Sequence, residues 1–308
     1  MAEAKFILMD GKAVPFKDAK IHVLAPAITY AGMVFEGIRG YWSEERGLTY
    51  LFRLDDHLRR LQDSMRALRY GAFYSLEELR PQVEEAIRVN QFRETIHLRV
   101  MALITGVPPA ITTSGPVSLV ITAGAYTMKD WWEKGMSVSI SSWQRVHESS
   151  TPPRVKTSAN YTNGRLGMLQ AHLDGYDATL MLTREGKVAE GPTATFFMKR
   201  RGKLVTPAVT ESILESITRE TIIELASDML NMPVEQRPVD RTELYTADEL
   251  FFCGSGWEIV PITSVDRIPV GSGKPGPLAV RVRDTYMDVV NGRNEAYMHW
   301  LTPVQSKD

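Results

Sequence analysis

One cysteine in 308 residues, Cys253, excludes an intrachain disulfide and suits a reducing cytoplasm. An excess of either charge is missing as well. The 36 basic and 37 acidic residues leave a formal net charge of −1, so no field favours nucleic acid or an anionic membrane as partner. No apolar run approaches the roughly 20 residues of a membrane span. Met1-Ala2-Glu3-Ala4-Lys5 leads into a strand-like segment without a charged-then-apolar leader. The six histidines are singletons and no Cys/His pair has ligand spacing, so no metal site is expected. A nucleophile elbow G-x-S-x-G is absent, Gly254-Ser255-Gly256 being too short for one, and there is no G-x-x-x-x-G-K-[ST] phosphate loop. These absences point to a soluble cytoplasmic protein acting on a small ligand.

What is there reads as mixed helix and strand. Phe6 to Met9 and Lys12 to Val14 flank Asp10-Gly11, the signature of a hairpin with a type I′ turn. Strands are expected at Val34 to Trp42 and Leu48 to Phe52. Leu54, Leu58, Leu61, Met65 and Leu68 recur at helical spacing. Ser75 and Glu78 form a capping box for a second helix reaching about Gln91. Strands follow at Thr95 to Thr105 and Val117 to Ala123. Further on, helices are expected over Tyr161 to Leu173, Thr218 to Leu230 and Pro277 to Asn291, and strands over Val138 to Ser142, Ala178 to Thr183, Lys187 to Glu190, Ala194 to Lys199, Lys203 to Val205, Val234 to Val239, Leu250 to Cys253 and Ile259 to Val265. Helices and strands do not alternate regularly, which favours α+β over a doubly wound sheet. The pattern breaks over 124–135, dividing the chain into 1–123 and 136–308.

Three segments carry chemistry. Lys156 follows a proline-containing loop and precedes Thr157-Ser158-Ala159-Asn160-Tyr161 at a helix start. A lysine that forms a Schiff base needs such a fixed place, although most loop lysines are simply solvated. Glu190, before Gly191, ends a strand; a carboxylate there would keep a pyridine nitrogen protonated, as pyridoxal chemistry requires. Ser216-Ile217-Thr218-Arg219 and Gly254-Ser255-Gly256 offer backbone donors for a phosphate.

Together these segments resemble the class IV aminotransferases, the fold type IV pyridoxal-phosphate enzymes, and among them the branched-chain amino acid aminotransferases. The most specific match is Val34-Phe35-Glu36-Gly37-Ile38-Arg39; Phe52-Arg53 with His57 and Arg60-Leu61, Lys156 with Asn160-Tyr161, Glu190-Gly191, Ile217-Thr218-Arg219, and Gly254-Ser255 with Glu258-Ile259 and Pro261 follow in order. The resemblance implies a small N-terminal α/β domain and a larger C-terminal pseudo-barrel domain carrying the lysine. It also implies at least a homodimer, and pyridoxal 5′-phosphate as cofactor. In it Lys156 is catalytic, and Arg53, Tyr161, Glu190, Ile217, Thr218 and Ser255 bind the cofactor. Tyr30, Phe35, Gly37, Arg39, His97, Arg99, Ala123, Gly256 and Trp257 contact an amino donor and a 2-oxo acid acceptor in a ping-pong exchange.

The departures concern substrate and phosphate. His97 stands where relatives have a tyrosine, and Ala123 where many have a pocket tryptophan, which would open space. Glu215-Ser216 replaces Pro-Gly in the phosphate turn, adding a negative charge unless Glu215 points away. Gly256-Trp257 replaces two small residues, and Trp257 either reshapes the carboxylate wall or packs outward. Shifted specificity, for (R)-amines, D-amino acids, aromatic or β-amino substrates, therefore stays open, as does aminodeoxychorismate lyase chemistry.

Overall fold

The computed structural model describes residues 4–126 and 130–305. The parts of the N-terminal segment, the expected connection and the expected domain ranges that fall on 1–3, 127–129 and 306–308 lie outside them. The chain forms two compact units, one of Met1–Met128, Val155–Ala159 and Asp288–Asp308, the other of Lys129–Arg154 and Asn160–Met287. This differs from a single cut near 124–135, because the short segment around Lys156 and the C-terminal segment join the first unit through backbone hydrogen bonds.

The first unit contains β1 (Phe6–Met9), β2 (Lys12–Pro15), α1 (Pro26–Thr29), β3 (Met33–Ser43), β4 (Leu48–Phe52), α2 (Leu54–Ala67), α3 (Leu76–Arg88), β5 (Ile96–Ile104) and β6 (Val117–Ala125). Asp10 and Gly11 take φ of 50° and 77°, both left-handed as a type I′ turn demands. Ser75 and Glu78 complete the capping box of α3. With a last strand, β15 (Leu301–Gln305), these make a seven-stranded antiparallel sheet in the order β15-β4-β3-β5-β6-β1-β2. The β15 strand is absent from the sequence reading, because Pro303 demotes its run to something tolerated only at a sheet edge. An edge is where it sits.

Register decides which side chains share a face. Phe35 pairs with Met101, Gly37 with Arg99 and Arg39 with His97. Directly paired residues in an antiparallel ladder point the same way and neighbours alternate, so Phe35, Gly37, Arg39, His97 and Arg99 project from one face. The opposite face carries Val34, Ile38, Leu98, Val100 and Ile121, packed in one core with Leu58 and Leu61 of α2 and Leu79 and Val83 of α3. The apolar positions thus lie on the helix-covered face, leaving the other for polar work.

The second unit holds α4 (Trp131–Lys134), β7 (Met136–Ile140), most of α5 (Ser158–Leu173), β8 (Ala178–Leu180), β9 (Thr195–Arg200), β10 (Lys203–Thr206), α6 (Ile217–Asp228), β11 (Val234–Gln236), α7 (Arg241–Leu244), β12 (Glu249–Gly254), β13 (Glu258–Val265), β14 (Ile268–Pro269) and most of α8 (Pro277–Val290). Its eight-stranded mixed sheet runs β11-β10-β9-β12-β13-β7-β8, with β14 on β13, the counterpart of the larger domain that the resemblance implies. All of β12 is buried, and Phe197 stacks on its cross-strand partner Phe251 at 5.3 Å. The expected strand over Lys187 to Glu190 is instead a pair of isolated bridges, Leu182 with Val188 and Lys187 with Asp240. Helix and strand are mixed in both units, the α+β class expected.

Candidate active site

Lys156 is fixed through its backbone. On one edge β3 is paired with β5, and on the other β4 covers only Gly40 to Ser43. The uncovered part of that edge takes the lysine segment: Phe35 N donates to Lys156 O at 3.0 Å and Thr157 bridges Val34. Thr157 Oγ1 donates to Met33 O at 3.0 Å, and Lys156 N to Ser64 Oγ of α2 at 3.2 Å. Both backbone polar groups of Lys156 are therefore held. Its Nζ lies 5.1 Å from the centroid of the Phe35 ring, which the Arg99 guanidinium carbon approaches to 5.6 Å.

The face carrying Phe35 is strongly cationic. Arg39 is buried, its guanidinium carbon 3.2 Å above the Tyr126 ring. Tyr126 was not among the expected site residues, although it closes the Gly-Ala-Tyr run after Ala123. His97 leans over Gly37, where a Cβ would come within 3.1 Å of its Cε1 and Nε2; glycine gives the imidazole its room. Its Nδ1 is buried without a hydrogen-bond partner among the described residues. Burial first, then the charges of Arg39, Arg99 and Lys156, push His97 down to about 3. A neutral imidazole among three cations presents a hydrogen-bonding group on a surface suited to carboxylates.

Ala123 does not join this face. It pairs with Leu98 and lies in the core with Ile38 and Ile121. Strand alternation turns it inward, so the expected opening of the substrate pocket there is not present. Tyr30 caps the end of α1 and is half exposed.

The two arginines near α2 have different surroundings. Arg53, in the left-handed region with φ 48°, donates from Nε to Asp56 Oδ2 at 2.6 Å and lies 5.3 Å from the Trp300 ring. Arg60 donates from Nε and Nη2 to the two oxygens of buried Glu36, at 2.8 and 2.7 Å. His57 Nδ1 is 2.7 Å from Glu36 Oε2. Burial would raise the Glu36 carboxyl, but the charge and hydrogen bonds of Arg60, with those of His57, hold it at about 2. His57 is itself lowered by burial against the pull of Glu36, and both Arg60 and Lys156 lower it further. Arg60 and Lys156 thus both act on His57, whereas Arg53, the residue expected to bind phosphate, is engaged by Asp56.

In the second unit Glu190 is buried, and Oε1 accepts from Arg145 Nε at 2.9 Å and from Leu214 N at 3.3 Å. Ile217 and Thr218 open α6, whose cap is Ser216, its Oγ accepting from Arg219 N at 3.2 Å. Serine here does by side chain what a tight glycine turn does by backbone. Glu215 pairs with Arg154 at 2.8 Å, both side chains well exposed, so its charge is directed to a cation. Ser255 and Gly256 follow β12, and a Cβ at Gly256 would meet no heavy atom within 4 Å. Trp257 packs on Phe252 at 5.2 Å and Trp131 at 5.8 Å, half-buried against the unit's apolar cluster. It packs against its own unit's core rather than outward, outward being the second of the two placements expected. Tyr161 lies half-buried on α5.

Taken each by itself, the two units carry groups of the kinds that pyridoxal 5′-phosphate takes. The first unit supplies an amine on a pinned backbone and a cationic sheet face. The second supplies an arginine-bound carboxylate for a ring nitrogen, a capped helix N-terminus for phosphate, and open space beside Gly256.

The family model for class IV amino-transferases matches residues 33–265. The chain is similar to the probable branched-chain-amino-acid aminotransferase of Aquifex aeolicus, 35% identical over 98% of this chain and 97% of the relative. It is also similar to the crystal structure of the branched-chain amino acid aminotransferase from Thermobaculum terrenum in its PLP form, at 40% identity, 99% coverage of both chains and a TM-score of 0.92. The branched-chain aminotransferase of Thermoproteus uzoniensis with norvaline matches at 38% identity, 98% of this chain and 99% of that one, with a TM-score of 0.92.

Proposed function

The chain belongs to the class IV aminotransferases, and we propose that it moves the amino group of a branched-chain amino acid to a 2-oxo acid. The observation that carries this reading is the cationic sheet face bearing Phe35, Arg39, His97 and Arg99 around the pinned Lys156. Its pyridoxal 5′-phosphate supplies, when bound, a carbonyl for the amine and a protonated ring that draws electrons from the substrate Cα.

The residues divide the remaining work. Lys156 Nζ holds the cofactor and moves the proton of the donor Cα. Glu190 keeps the proton on the ring nitrogen, and Tyr161 bonds the ring oxygen. Backbone donors at Ile217 and Thr218, with Ser255, hold the phosphate. Arg60 joins them in preference to Arg53, since Asp56 and Trp300 already engage Arg53. Arg39, Arg99 and the neutral His97 orient carboxylates, while Phe35 offers an apolar surface to the side chain. Gly256 leaves space for the substrate beside Trp257, and Tyr30 belongs to the substrate site of a homodimer. Exposure of Val23, Leu24, Ile28 and Tyr30 supports that assembly.

Cytoplasmic action is the accompanying proposal; no helix among the described residues is long and apolar enough to cross a membrane. One observation favours a second reading, a shifted donor range: His97 replaces a hydroxyl at a carboxylate contact. Mixing the holoenzyme separately with L-leucine, L-valine, D-alanine and (R)-1-phenylethylamine, and following its visible absorbance, decides between them. Bleaching by the first two supports branched-chain transamination; bleaching only by the others overturns it.

A further inference from the structure

The buried carboxylate of Glu190 does not stand alone. Arg145 donates from Nε to Oε1 at 2.9 Å and pairs with it through Nη2 at 2.7 Å, and Leu214 N donates to the same oxygen at 3.3 Å. Both side chains are almost completely buried, at 7% and 5% exposure. The backbone sets this meeting. Arg145 N donates to Leu182 O at 2.8 Å, while Met181 N donates to Glu190 O at 2.9 Å. Two adjacent residues thus place arginine and glutamate face to face.

We infer that Arg145 is a positioning residue that keeps Glu190 ionised and oriented for the ring nitrogen of the cofactor. The inference rests on the role given to Glu190 under Proposed function. The guanidinium and the Leu214 N–H together restrain the carboxylate group at Oε1. Burial without a cation drives a carboxyl towards its neutral form, and a protonated Glu190 cannot hold a second proton on the ring. The planar guanidinium also supplies two donors from one side, which an ammonium does not. Leu214 opens the phosphate turn, so the same oxygen ties the ring-nitrogen end of the site to the phosphate end.

The test is a double-mutant cycle on holoenzyme, read by equilibrium dialysis of pyridoxal 5′-phosphate and by the pH dependence of its visible band. Arg145→Gln should weaken cofactor retention about ten-fold and shift the band's pH profile, but change retention by less than about two-fold in a Glu190→Gln background, since coupled residues are non-additive. Equal factors in both backgrounds would overturn the inference, because a merely structural arginine acts without regard to Glu190. Should Arg145→Gln not fold, Arg145→Lys serves, with the same contrast between backgrounds deciding. A visible band that survives Lys156→Ala defeats the proposed function itself. Loss of that band together with an additive cycle defeats only the role of Arg145.

Discussion

Phe35 donates its backbone N–H to the carbonyl of Lys156 at 3.0 Å, and its ring lies 5.1 Å from the Lys156 ammonium. One residue therefore fixes the chain of the lysine and lines the approach to its amine. Ser64 completes the hold on the other side, accepting from Lys156 N. Ser64→Ala leaves a partly buried N–H unpaired, which costs about 1–3 kcal/mol. It should also slow turnover about ten-fold through misplacement of the amine. Urea denaturation and kcat at saturating substrate check both; an unchanged kcat would show that Phe35 and Thr157 suffice.

Acid should weaken the protein in a window set by His97 and Glu36. His97 has its folded pKa lowered from 6.5 to about 3, so the unfolded chain binds the proton more readily between those values. The stability it contributes is present above 6.5 and declines as pH falls towards 3. Glu36, lowered from 4.5 to about 2, extends the loss below 4.5. His97→Phe should flatten the dependence of Tm on pH between 6.5 and 4.5, where Glu36 does not yet titrate. A slope as steep as in the parent enzyme would assign the loss to other groups.

Arg60 and Arg53 make opposite predictions. Arg60→Ala leaves Glu36 buried with one partner fewer, a change that costs about 3–5 kcal/mol. Arg53→Ala should cost about 1 kcal/mol, losing a short-range pair and packing on Trp300. If Arg60 holds phosphate, its loss also weakens cofactor retention, whereas that of Arg53 does not. Equilibrium dialysis of both variants, at a temperature where each is folded, separates these roles.

The phosphate turn gives a fourth comparison. Ser216→Ala removes the cap of α6 and should lower stability by about 1 kcal/mol. Glu215→Gln dissolves an exposed pair with Arg154, worth no more than about 1 kcal/mol. Because the Glu215 side chain is directed at Arg154, the variant should retain cofactor as the parent does. A marked gain in retention on neutralising Glu215 would mean that its charge reaches the phosphate after all.

Much of this was legible because local chemistry and tertiary contacts agree. The hairpin at Asp10-Gly11, the capping box at Ser75 and the amphipathic period of α2 are set by neighbours in sequence. Lys156 and Glu190 were identified through family motifs, and the structure explains their settings. Ala123 and Trp257 were misread or left open because sequence does not say which face a strand residue takes at the end of β6, or what a tryptophan finds to pack on. Arg145 went unnoticed for a related reason: only the folded backbone at Met181-Leu182 brings it to Glu190. Arg53 rather than Arg60 was singled out, since spacing alone cannot tell an arginine bound to Asp56 from one bound to a buried glutamate.

The edge strand β15 has a consequence for synthesis. Strand β4 pairs with β3 on one side and with Leu301–Gln305 on the other, so its outer edge stays bare until Leu301–Gln305 have left the ribosome. An unpaired edge is a template for other chains. A protein cut short before residue 301 would keep Lys156 and Glu190 and would still be prone to aggregate for want of β15.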